Sequence, residues 1–132
     1  MAEAEQTPSS GELAAAISNA VVRIYTEHHG RGPTRAKSYL FDDVVLTVME
    51  ESAATVEQTL AKAGDEQLVR DIRARVQGAV AEQLRGAVEQ VTGRRVRAFM
   101  SGSQLEPDVK CDVFLLEPQP AAEVGGGSAG GA

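Results

Sequence analysis

Between Asp65 and Gly93 the chain carries one apolar stripe, in which Leu68, Val69, Ile72, Val76, Ala79, Val80, Leu84, Ala87, Val88 and Val91 recur at steps of three and four. That period is helical, Asp65 can cap the start, and Thr92-Gly93 supplies the stop. A helix of about 27 residues runs roughly 40 Å at about 1.5 Å per residue, whereas ordinary strands reach only about 20 Å. The rest of the chain must therefore be arranged along this rod, and two short hairpins cannot cover all of it. Its near-heptad steps (Val69, Ile72, Val76, Ala79) predict that the surplus pairs with the same helix of a second copy, with Val69, Ile72, Val76, Val80 and Leu84 as the candidate dimer seam. A homodimer is the expectation; the alternative is that both ends of the rod lie on the first and second helices of the same chain.

Before the rod, Ser9-Ser10-Gly11-Glu12 has the form of a capping box, so a first helix should begin there. Leu13, Ile17, Ala20, Val21, Ile24 and His28 mark its apolar face, and Gly30 offers a left-handed stop. Gly30-Arg31-Gly32-Pro33-Thr34 then breaks regular structure, because two glycines free φ and Pro33 biases its predecessor away from helix. Arg35 to Phe41 alternates like a strand, with Ala36, Ser38 and Leu40 on one side. Val44 to Met49 is a β-branched run, and Asp42-Asp43 between the two is a connection of hairpin length. Ser52 can cap a short helix through Val56, Leu60 and Ala63, ending at Gly64.

After the rod, Arg94 to Ser101 reads as a third strand, with Val96, Ala98 and Met100 opposed to Arg95, Arg97 and Phe99. Val109 to Glu117 reads as a fourth, with Val109, Cys111, Val113 and Leu115 as its inward row. Cys111, the one cysteine, is expected as a small core hydrophobe and excludes an internal disulfide. The fold class is α+β: a single domain of order α-β-β-α-α-β-β, with an antiparallel four-stranded sheet and helices mainly on one face. It should span residues 9–118, between a disordered arm at 1–8 and a flexible Gly/Ala/Pro-rich tail at 119–132.

No catalytic, cofactor or metal constellation is legible. The two histidines, His28 and His29, are neighbours on one helix, about 100° apart, and cannot both face one ion. No nucleophile elbow or phosphate-binding glycine loop occurs, so neither an enzyme nor a cofactor is expected. What stands out is a contrast of charge. The chain carries a net −6, yet Arg31, Arg35 and Lys37 cluster before and in strand 1, and Arg94, Arg95 and Arg97 before and in strand 3. If those strands were close, Gly30, Arg31, Gly32, Pro33, Arg35, Lys37, Arg94, Arg95 and Arg97 would form one recognition surface for a small anion or a nucleic acid. Tyr39, Phe41 and Phe99 are the only aromatics there, which is thin for reading bases and keeps nucleic acid from being favoured.

Gly30-Arg31-Gly32-Pro33 with its following strand, Thr92-Gly93-Arg94, and Leu105-Glu106-Pro107-Asp108 together resemble the MpsC domain family, over nearly the whole of the expected domain. The resemblance implies association with a Na+-translocating, membrane-potential-generating system whose membrane subunit is related to respiratory-complex antiporter subunits. The start MAEAEQTPSS has neither a basic nor an apolar region of a secretory signal, and no apolar run reaches the roughly 20 residues a membrane span needs. The expected role is thus a non-catalytic accessory protein, cytoplasmic or peripheral at the membrane through a transporter subunit as partner, without direct insertion.

Overall fold

In a computed structural model, which describes residues 9–30 and 32–119, Ser9 opens the first helix as expected. Its hydroxyl accepts from the Glu12 amide at 3.0 Å while the Glu12 carboxylate accepts from the Ser9 amide at 2.9 Å. The elements follow in the expected order: α1 (Ser10–His29), β1 (Arg35–Phe41), β2 (Val44–Glu50), α2 (Thr55–Lys62), α3 (Glu66–Thr92), β3 (Val96–Gln104) and β4 (Val109–Leu116). Asp42-Asp43 closes the first hairpin with Asp42 at φ 51°, a left-handed value that aspartate tolerates better than most residues. The arm at 1–8, Arg31, and the tail from residue 120 lie outside the described residues.

Both glycines of the Gly30–Pro33 loop have local reasons. Gly30 ends α1 in the left-handed region at φ 82°, its amide bonded to the Thr26 carbonyl. A Cβ on Gly32 would stand 2.6 Å from the Thr26 hydroxyl, so only glycine lets the chain turn this closely past the helix. The start of α2 departs from expectation: Ala54, not Ser52, occupies the cap position, and its amide donates to the Glu57 carboxylate at 3.0 Å.

The sheet is antiparallel throughout, in the order β1-β2-β4-β3. One face carries Val45, Thr47 and Met49 of β2 and Lys110, Asp112, Phe114 and Leu116 of β4, all buried. Against it pack Ile17, Val21, Ile24 and Tyr25 of α1 and Val80, Leu84 and Val88 of α3. The fourth strand is therefore turned over relative to the sequence reading. Its inward row is Lys110 to Leu116, and Val109, Cys111, Val113 and Leu115 lie on the other face, only half-buried. Alternation identifies two faces but assigns the polar one to water by default. Here Lys110 and Asp112 point inward because polar partners meet them there.

A bulge between Val96 and Ala98 corrects the third strand in the same way. Val96 is buried and Phe99 stacks on Phe114 with ring centroids 4.9 Å apart, while Ala98 and Met100 fall on the opposite face. The start of β3 is pinned to α3: the Val96 amide donates to Glu89 at 2.9 Å and Arg85 donates to the Val96 carbonyl at 3.2 Å.

The long helix is used mainly within the chain. Val69, Val80 and Leu84 of the expected dimer seam are fully buried, so they cannot meet a second copy. Only Ile72 and Val76 reach the surface, where they line a small cavity with His28, His29 and Val56. The length of the rod is absorbed by α1, α2 and the sheet packing on it in turn.

Candidate functional surfaces

The expected cationic surface is not assembled. β1 and β3 form opposite edges of the sheet, and Arg35 sits at the end of β1 that pairs with Glu50, while Arg94, Arg95 and Arg97 lie at the other end of β3. At about 4.8 Å per strand and 3.4 Å per residue, Arg35 and Arg97 stand at diagonal corners some 25 Å apart. Arg94 is engaged structurally. Its guanidinium pairs with the Asp43 carboxylate and donates to the Asp42 and Glu117 carbonyls at 3.1 and 2.8 Å, tying the first hairpin turn to the end of β4. Arg35 faces Glu50 at 4.0 Å, and Lys37 lies beside the Tyr39 ring.

Two features that sequence reading missed take its place. The first is the uncovered face of the sheet. Its central strands present Val44, Leu46 and Val48 from β2 and Val109, Cys111, Val113 and Leu115 from β4. Around them, Tyr39, Phe41 and Met100 are 40%, 51% and 52% exposed. No described helix packs on these side chains, and the charges on this face, Arg35, Lys37 and Glu50, stand at one corner. The signal is in the sequence: the Val109–Leu115 row is the more apolar half of β4.

The second is a polar cluster enclosed between α1, α2, α3 and the inner face. Asp112, fully buried, accepts from the Tyr25 hydroxyl at 2.8 Å and from the Ser101 hydroxyl at 2.7 Å. Burial raises the Asp112 carboxyl above the usual carboxylate range, against the pull of the Ser101 hydrogen bond and the Lys110 charge. Burial, and then the Asp112 charge, also raises the Tyr25 phenol, which stays protonated and donates. Replacing Tyr25 with Phe removes one of the two hydroxyls on a buried carboxylate. A loss of about 1.5–3 kcal/mol in urea unfolding is expected, and an unchanged stability would contradict the bond.

Lys110 is 5% exposed, with its ammonium 4.3 Å from the centre of the Tyr25 ring, and burial lowers its pKa despite the nearby Asp112 charge. Arg73, also buried, faces Glu57 at 3.3 Å and Asp108 at 3.5 Å through Nη2. Asp108 in turn accepts from the Ala53 amide at 2.9 Å, so the Leu105–Asp108 turn is linked to α2 and α3 through one guanidinium.

His28 and His29 part as the helix geometry requires. His28 bonds Gln83 of α3 at 2.8 Å, and His29 lies edge-on to Tyr25. The His29 Nε2 is enclosed without a hydrogen-bond partner among the described residues, and burial lowers the imidazole pKa below its usual value. A depressed histidine contributes stability in full above about pH 6.5, and that contribution is lost as pH falls through the folded value, because the unfolded chain takes the proton first. Wild type should therefore lose more urea stability than His29→Phe between about pH 7.5 and 5.5. Equal losses would contradict an enclosed neutral imidazole.

Among the described residues no group of three or more His, Cys, Asp or Glu side chains gathers to hold a metal ion, and no helix is long and apolar enough to cross a membrane. No curated protein and no solved structure matches the chain. A family model does, over residues 9–118, and its description is the Na+-translocating membrane potential-generating system (MpsC). That span runs from the N-cap of α1 to just past β4, the whole described fold. The chain belongs to the MpsC family, which links it to a Na+-translocating membrane potential-generating system.

Proposed function

We propose that the protein is a non-catalytic accessory component of that system, cytoplasmic, acting by protein–protein contact as a homodimer joined through the uncovered face of its sheet. The observation that carries this reading is the apolar row on that face: Leu46, Val48, Cys111 and Val113 at its centre, with Tyr39, Phe41 and Met100 exposed around them. Sheets with one covered face normally turn alternating polar residues to water on the other, and this one does not.

A second copy is the occupant that fits. The central strands place no carboxylate, ammonium or guanidinium on the face short of Glu50, so a partner that recognises by charge finds little to read there. A two-fold axis through the centre would set apolar surface on apolar surface without bringing like charges together, as in an aligned sheet sandwich. The face measures roughly 19 by 24 Å, about 450 Å² in plan before side-chain relief is counted. A stable contact needs about 600 Å² per partner, and the projecting Tyr39, Phe41 and Met100 side chains supply relief of that order.

Sedimentation of the purified chain tests the reading. A dimer at micromolar concentration is expected, and a monomer throughout that range would overturn it.

A further inference from the structure

We infer that the chain binds a small oxyanion, of the kind a phosphate group provides, in a cavity between the middle of α3 and the β3–β4 hairpin. The cavity holds about 250 Å³ and is lined by Arg70, Arg73 and Lys110, with Gln77, Ser101 and Ser103 completing its polar wall. No carboxylate lines it. It is separate from the uncovered sheet face, so this inference does not rest on the dimer.

Two buried cations with spare donors stand on the cavity wall. Lys110 is 5% exposed, and its ammonium makes no hydrogen bond or ion pair among the described residues; its close neighbour is the face of the Tyr25 ring. Arg73 is 7% exposed, and although Nη2 faces Glu57 and Asp108, Nη1 is enclosed without a partner. A buried donor left unpaired costs free energy, and a buried ammonium costs more. Two such groups on the wall of one cavity are the arrangement an anion would complete.

The neighbouring carboxylates leave those donors free. Asp112 is occupied by the hydroxyls of Tyr25 and Ser101, opposite Ser101 in the β3–β4 register, and it is held above the usual carboxylate range by burial. Glu57 and Asp108 meet Arg73 through the other nitrogen of its guanidinium. Arg70, at 3.7 Å from Glu66 and largely exposed, stands at the mouth, where a cation can draw in an anion. Ser103, exposed on the edge strand, has no side-chain partner among the described residues and offers a hydroxyl. The Arg73 guanidinium, the Lys110 ammonium and the Ser103 hydroxyl belong to residues on the wall of one cavity, and donors of these kinds suit the several acceptor oxygens of a phosphate group.

The test is a titration of the full chain with inorganic phosphate at millimolar concentration, against sodium chloride at matched ionic strength, read as thermal midpoint and as 15N-resolved amide shifts of the β3–β4 hairpin. A saturable rise of about 4–6 °C at ten times the dissociation constant is expected with phosphate only, accompanied by saturable shifts of the hairpin amides. Lys110→Met should weaken binding at least about tenfold. Since that position is buried, Ser103→Asp serves beside it: its carboxylate stands opposite Lys110 across the β3–β4 pair, should raise the midpoint without phosphate, and should abolish the phosphate shift. Equal effects of phosphate and chloride, or a phosphate response undiminished in folded Ser103→Asp, would overturn the proposal.

Discussion

Replacing Arg73 with Met is expected to destabilise the fold by about 3–5 kcal/mol. Glu57 is 2% exposed and Asp108 lies on the same guanidinium, so the substitution leaves one carboxylate buried and another half-buried with no counter-ion. The Ala54 and Ala53 amides still donate to them, but backbone dipoles do not replace a positive charge. The double variant Arg73→Met/Glu57→Leu should recover much of the loss. An apolar pair of similar volume pays no desolvation penalty, and buried ion pairs stabilise little against such a replacement. Urea unfolding of the single and double variants measures both. If Arg73→Met unfolds within 1 kcal/mol of wild type, roughly the median for an exposed pair, the guanidinium does not hold α2 and the Leu105–Asp108 turn onto α3 as described.

Leu46→Lys is expected to dissociate the proposed dimer while leaving the monomer folded. The side chain lies on the uncovered face of a central strand, half-buried by its own neighbours and free of helix contact. A lysine there can lift its ammonium into water in the monomer, whereas across a two-fold axis two copies of the charge enter one apolar contact. An increase of at least about 100-fold in the dimer dissociation constant follows, the scale of a central interface position. Val80→Asp makes the contrast. That residue belongs to the long helix and is fully enclosed within the chain, so its replacement should unfold the protein and not merely separate subunits. A change at Ile72, on the open part of the same helix, should leave the dimer intact.

Much of the fold was legible because local signals agreed with one another. The capping box at Ser9 and Glu12, the left-handed stops at Gly30 and Gly93, and the Asp42-Asp43 hairpin each fix an element boundary by short-range chemistry. The 3.6-residue period gave α3 its extent. What escaped was the direction of side chains wherever a polar group turns inward. Lys110 and Asp112 alternate with Cys111 and Val113 in the fourth strand, and nothing local says which row meets Tyr25 and Ser101. The partners come from α1 and β3, 87 and 11 residues away, so the inversion is a tertiary fact. The bulge at Val96 had the same effect on β3.

The sites followed from that inversion. Sequence spacing drew attention to exposed arginines, which the sheet order sends to opposite edges and Arg94 spends on a turn. The buried cations Lys110 and Arg73 do not stand out in the sequence, since burial cannot be seen in a charge pattern. Likewise the apolar stripe of α3 looked like surplus surface, but the surplus lies on the sheet. The row Val109, Cys111, Val113 and Leu115, apolar enough for a core, lies in the fold on the face no described helix covers.

Sedimentation equilibrium of wild type and Leu46→Lys, run side by side across a micromolar concentration series, tests that surface most directly. Wild type should sediment at twice the 13.9 kDa chain mass and Leu46→Lys at the chain mass, with the same far-UV spectrum. A wild type that stays at 13.9 kDa, or a folded Leu46→Lys that remains dimeric, would contradict assembly through the uncovered face of the sheet.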